Sequence, residues 1–369
     1  MLLEFSVNRR ELALLAIAGA LLWPAFYSLT PPHRAQESIL TLTSDQYRLD
    51  KIYRSMEGPW SVQRGIDLGG IKKSRVQWIT GLETEVVDAT EETPISQDFF
   101  CHSNLTFAEH GPLPDQYNNK LGGKTHLDWR LFTLAPGRLS IEFPEGFGVP
   151  IPSDAPLDYV TMSLNLNARN QVRNVRLRTN VHTISADQPG APTKALFRRA
   201  LYVLQSESES GQIGHACMAK PGAQHIGAGC GELVKVKLPD GSSVLKPVEG
   251  MTNHWTVPRG DHIYKMEITP QLNLPFDTTI HYATIHVHPF ARGMELRDLT
   301  TGQTILRLNS QDWPDRIGVA HVEEFKSNDG IPILRSHRYE LAVEYDNTSG
   351  SNTDAMAILY LYLLEKDLT

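Results

Sequence analysis

Residues 172–178 read Val172-Arg173-Asn174-Val175-Arg176-Leu177-Arg178. From Asn174 onward polar and apolar side chains alternate one for one. That period places Val175 and Leu177 on one face of a strand and Asn174, Arg176 and Arg178 on the other, the mark of a half-buried sheet. Arg75-Val76-Gln77-Trp78-Ile79 and Arg138-Leu139-Ser140-Ile141-Glu142-Phe143 are similar short segments, and turn residues separate them. With 27 Gly and 23 Pro spread along the chain and few windows of helical period, the sequence predicts a mainly β protein of antiparallel sandwich or barrel type. The segment 36–56 reads as either helical or extended. A turn-rich linker, Ala186-Asp187-Gln188-Pro189-Gly190-Ala191-Pro192, marks the clearest break. The economical organisation is two antiparallel β-sandwich domains, 36–189 and 190–369, preceded by one N-terminal transmembrane helix within 1–35. There is no internal repeat and no low-complexity tract.

The chain has 369 residues, enough for two cores, and 41% hydrophobic against 21% charged residues excludes a disordered chain. Its formal charge is −7 with no long basic run, which argues against nucleic acid as a partner. Three cysteines are too few for a disulfide scaffold. Of the 14 histidines, nine follow residue 200.

Leu12 to Leu29 reads LALLAIAGALLWPAFYSL, without a charge. That length can span a bilayer. Arg9 and Arg10 before it hold the N-terminus in the cytoplasm by the positive-inside rule, and Trp23, Phe26 and Tyr27 suit the far headgroup layer. A cleaved signal peptide is the competing reading. Small-x-small triplets such as Ala18-Gly19-Ala20 lie inside the apolar run, between Leu12 and Leu22, and bulky residues occupy its exit, so an uncleaved anchor is preferred. The expectation is a single-pass inner (plasma) membrane protein with its bulk in the periplasm and partners among membrane proteins.

Chemistry concentrates in His281-Tyr282-Ala283-Thr284-Ile285-His286-Val287-His288-Pro289-Phe290. On a strand His286 and His288 share a face, a common half-site for copper or zinc. Two imidazoles that only hydrogen-bond on a solvated sheet face are the plain alternative. The apolar flanks suggest burial, where adjacent imidazoles need a partner. In the last apolar run, Asp354 to Leu364, Met356 by itself reads as core filling.

Residues 252–364 resemble the C-terminal domain of the copper type II, ascorbate-dependent monooxygenases. The resemblance rests on His254-Trp255-Thr256-Val257-Pro258-Arg259-Gly260, His286-Val287-His288, Met294-Glu295-Leu296, Tyr345 and Met356. It implies that His286, His288 and Met356 bind one copper, and two imidazoles with a thioether suit Cu(I). The family holds a second, electron-supplying copper with three histidines, two of them adjacent. This chain has no His-His pair. It offers Cys101-His102, His110, His126 and His182, of which Cys101, His102 and His182 are the weaker candidates, so one copper site is favoured over two.

Cys217 and Cys230 lie in a Gly-rich stretch. They are either a disulfide, worth about 3 kcal/mol for such a loop, or part of a soft-metal cluster with His215, Met218 and His225. His254 and His262 read as structural, and His281 has the wrong parity to join His286 unless a bulge intervenes. Asn104-Leu105-Thr106 and Asn347-Thr348-Ser349 match the glycosylation triplet at a chance rate. Two functions remain: a membrane-anchored periplasmic copper protein, a copper-dependent monooxygenase if catalytic, or a non-catalytic subunit of a respiratory or photosynthetic membrane complex that uses this fold as a docking body.

Overall fold

The computed structural model describes residues 35–53, 57–68, 76–91, 93–108, 121, 126–206, 234–237, 243–246 and 251–368. The expected anchor residues Leu12, Leu22, Trp23, Phe26 and Tyr27 and the pair Cys217 and Cys230 lie outside them, as do His110, His215 and His225. Among the described residues no helix is long and apolar enough to cross a membrane.

The fold is mainly β. One long sheet runs through both halves of the chain in the order Ser38–Thr43, Arg173–Ser185, Val76–Asp88, Phe147–Pro152, Lys194–Tyr202, Ala357–Leu364, Thr278–Val287, Glu324–Ile333. The alternation that opens the argument holds: from Val175 to Ser185 every second residue is buried. The segment after residue 36 is extended, with Ile39 opposite His182 and Tyr47 opposite Val175. One feature departs from the antiparallel expectation. Lys194 and Ala195 pair in parallel with Phe147 and Gly148, which joins the two halves into one sheet just past the linker.

Two further sheets cover this long sheet. The four-stranded sheet Trp60–Ile66, Leu157–Ser163, Phe100–Phe107, Arg130–Leu134 encloses the first core, where Leu105, Phe132 and Tyr159 meet Leu82, Val86 and Leu177. The five-stranded sheet of Gly260–Glu267, Tyr339–Asn347, Ala291–Asp298, Gln303–Asp312 and Val319–Val322 encloses the second, where Leu341, Val343 and Leu296 meet Ile285, Leu359 and Leu361. Burial of large apolar side chains, at about 1.5–3 kcal/mol each, is the main favourable term for both cores.

The strand Thr278–Val287 is buried on both faces. Ala283, Ile285 and Val287 enter the second core, while Tyr282 and its partner Tyr362 join the first. The face that carries Tyr282 therefore turns toward the first half. Direct bonds fix the two halves there. Tyr362 Oη donates to Leu131 O at 3.0 Å, Val322 N to Gly137 O at 2.9 Å, and Arg316 pairs with Asp98 at 2.6 Å.

Both glycosylation triplets are structural. Asn104 is buried within a strand, and the buried Asn347 side chain donates to Val257 O and Ser351 O.

Candidate metal centre

His286 and His288 point with Tyr282 into the contact between the halves. The ladder sets His286 opposite Ile358, and the next position sets His288 opposite Met356, whose carbonyl accepts from His288 N at 3.3 Å. The last apolar run is two strands, not one: Thr353–Ala355 and Ala357–Leu364 are separated at Met356. Tyr345 Oη holds the break by donating to Met356 O at 2.8 Å. Because Ala355 and Ala357 enter the second core, the Met356 side chain takes the opposite face, where it packs with Ile358 and Tyr360.

A fourth residue joins this row. Trp255 pairs with Ala355 and Thr256 with Asp354, so the same register carries His254 opposite Met356. The rings of His254 and His286 each lie 5.6 Å, centroid to centroid, from that of His288. Ligand atoms of His254, His288 and Asp354 all lie within 4.8 Å of one another. His288 Nδ1 is 2.8 Å from Asp354 Oδ2 but out of line for a hydrogen bond, so the Nδ1 atoms of both His286 and His288 are buried without a hydrogen-bond partner. Burial first, then the neighbouring His288, His102 and His254, pushes the His286 imidazole well below its ordinary 6.5, leaving it neutral and able to act as a ligand.

Across the contact stand Cys101 and His102. Both are buried, at a bulge where Phe100 pairs with Ser163 and His102 with Met162. A cavity of about 30 Å³, large enough for a water molecule, lies between Cys101 and Leu164 of the first half and His286, His288, Trp313 and Val319 of the second. His102 thus joins the second half's histidines, close enough for its charge to act on His286. His182 does not. It sits beside Asn180 on the outer face of its strand, 3.0 Å from Glu37 Oε2, while Thr179 turns inward to Ser103. Among the described residues no group of three His, Cys, Asp or Glu donors within reach of one ion contains Cys101, His102, His182 or His286; of the expected ligands only His288 falls in such a group, with His254 and Asp354.

Three other described histidines have partners of their own. A bulge between Ile280 and Tyr282 falls at His281. Its Nδ1 donates to Ser327 O at 2.9 Å and its Nε2 accepts from Thr279 Oγ1 at 2.7 Å, so both ring nitrogens are used. His262 is half-buried and donates to Arg259 O at 3.3 Å. His126 Nδ1 meets Glu365 Oε2 at 2.8 Å, with Asp367 beside them. Met294 is buried in the second core. The residues the sequence undervalued are His254 and Asp354. Asp354 carried a usable signal, since it lies two residues before Met356 in an extended run. His254 reaches the site through a pairing about a hundred residues distant in sequence.

No family model and no curated protein matches the chain. Among solved structures it is similar at low scores to the major capsid protein P2 of bacteriophage PM2, at 10% identity and a TM-score of 0.30, covering 88% of this chain and 98% of that one. The STIV MCP follows at 11% and 0.32, covering 88% and 96%. The naturally empty top-component particle of cowpea mosaic virus gives 10% and 0.36, covering 92% and 94%. These likenesses are too distant to carry a functional argument, which rests on the site itself.

Proposed function

We propose that this chain is a membrane-anchored, extracytoplasmic copper-binding protein built from two β-sandwich domains, with one copper held by His286, His288 and Met356. The observation that carries the reading is the pair of adjacent buried imidazoles whose Nδ1 atoms lack hydrogen bonds, in register with a thioether. Leaving a buried polar nitrogen unpaired costs about 1–3 kcal/mol, and a bound metal removes that cost for a ligating nitrogen. Two imidazoles and a thioether are soft enough for Cu(I). When bound, copper would supply one-electron redox chemistry. The chain's own contribution is to hold the buried His286 imidazole neutral and exclude bulk water.

The family's second copper finds no support in the placement of His182 on an outer face. That favours metal holding over hydroxylation, and it also suits the second reading, a docking subunit that retains one copper.

The test uses the full chain in detergent, loaded with Cu(I) under reducing conditions and then dialysed. One copper per chain is expected, and none in a His286→Ala, His288→Ala double variant that keeps its circular dichroism. Equal copper in both proteins overturns the proposal. The anchor is tested separately by alkaline carbonate washing of membranes, which should leave the chain in the pellet.

A further inference from the structure

We infer that His254, His288 and Asp354 form a binding site for a divalent ion of the zinc type, with Asp354 as a direct ligand and one coordination position left open. The inference stands on its own donors and does not rest on the copper reading, with which it shares only His288.

Strand register brings the three residues together. Trp255 pairs with Ala355 and Thr256 with Asp354, while Val287 pairs with Ala357. Trp255, Ala355, Ala357 and Val287 enter the second core, so in an extended chain their neighbours His254, Asp354 and His288 take the other face. The Thr252 hydroxyl fixes the first segment, since it accepts from His254 N and donates to His254 O, both at 3.1 Å. The bond from His288 N to Met356 O, at 3.3 Å, fixes His288 against the chain that carries Asp354.

The spacing suits a shared ion. Ligand atoms of the three residues all lie within 4.8 Å of one another. His288 Nδ1 lies 2.8 Å from Asp354 Oδ2, yet the two are out of line for a hydrogen bond and the nitrogen has no hydrogen-bond partner. With metal bonds of about 2.0–2.2 Å, neighbouring donors on one ion stand about 2.8–3.6 Å apart. An ion here gives that buried nitrogen the partner it lacks. Thr256, opposite Asp354 on the same face, has a buried hydroxyl without a hydrogen-bond partner, an acceptor for a water on the open position.

The donor types select the ion. Two imidazoles and a carboxylate suit zinc(II), whereas Cu(I) is served by the soft thioether of Met356. His254 and His288 are each 5% exposed, while the Asp354 side chain keeps 17% of its surface in solvent and gives the ion an entry path. Three protein donors leave a tetrahedral zinc one position for water, the arrangement of sites that take up a small reactant and not of closed structural ones. Because the copper reading also needs His288, the two ions compete for it.

The experiment titrates the metal-free full chain in detergent with zinc against a chromophoric chelator. Wild type is compared with His254→Gln, Asp354→Asn, Met356→Leu and a Cys217→Ser, Cys230→Ser double variant, each checked by circular dichroism. Met356→Leu and the cysteine variant should retain a zinc ion with wild-type affinity. His254→Gln and Asp354→Asn should each weaken it by more than the roughly 100-fold that loss of an outer partner costs. Wild-type affinity in either of those two overturns the inference. So does zinc that is lost with Met356 or with the cysteines, or a wild type that binds none. X-ray absorption of zinc in the cysteine variant reads the site without touching its donors: two imidazoles and oxygen are expected, and a thioether sulfur or a third imidazole overturns the assignment. Cu(I) retention, measured separately, decides the copper reading alone.

Discussion

The backbone amide of His288 donates to the carbonyl of Met356 at 3.3 Å, across two strands far apart in sequence. This one bond fixes which residues face one another at the site. Substituting Met356 by Leu keeps the volume and the packing against Ile358 and Tyr360, so unfolding stability should change by less than about 1.5 kcal/mol. Cu(I) retention, measured by chelator competition, should fall. Retention equal to wild type would remove the thioether from the site.

Arg198 pins the two halves. Its buried guanidinium donates to Arg130 O at 3.2 Å and Thr133 Oγ1 at 3.1 Å, and it lies 4.5 Å over the Tyr360 ring. Two bonds to a charged donor and a desolvated cation–π contact together suggest a cost of about 3 kcal/mol for Arg198→Met. Urea unfolding measures it, and a loss below about 1 kcal/mol would show that the pin is redundant.

Stability should fall in acid in two stages. Burial lowers the pKa of His281 below its ordinary 6.5, so the folded state resists protonation. Its contribution is complete above 6.5 and is lost as the pH drops toward the folded value. Glu365 lies below its ordinary 4.5, because its bonds to His126 and to the Asp367 amide outweigh the opposing effect of burial. That contribution is present above 4.5 and is lost as the pH falls through the folded value. Urea unfolding from about pH 8 to about pH 2.5 reads both stages, and Glu365→Gln should flatten the lower one. A curve equally steep in Glu365→Gln would assign that stage to other carboxylates.

Two glycines separate backbone strain from crowding. Gly302 has φ +75° with nothing near a would-be Cβ, whereas at Gly330, φ +73°, that atom would lie 2.8 Å from His281 Cε1 and 2.9 Å from Thr279 Cβ. Gly302→Ala should cost about 1–2 kcal/mol for the left-handed backbone. Gly330→Ala should cost clearly more, read as a larger drop in Tm. Equal drops would mean that His281 moves aside freely.

Much of the strand content was legible because alternation is local. Val175, Leu177 and Val181 are buried as their parity requires, and the turn at residues 186–192 falls between two strands as its Pro and Gly content indicates. Continuity of the sheet was not legible. The parallel contact of Lys194 with Phe147 joins residues 47 positions apart, and no local pattern encodes such a pairing.

For the site, the sequence by itself determined that His286 and His288 share a face, since residues two apart on any strand do. It also supplied a soft donor, Met356, through the family resemblance. Only the tertiary structure decided what that face meets. The pairings of Trp255 with Ala355 and of Val287 with Ala357 brought His254 and Asp354 beside His288, and the docking of the two halves put His102 nearby. The same docking left His182 outside, beside Glu37. The physical reason is that parity along one strand follows from backbone geometry, whereas register between distant strands is set by the cores they jointly bury.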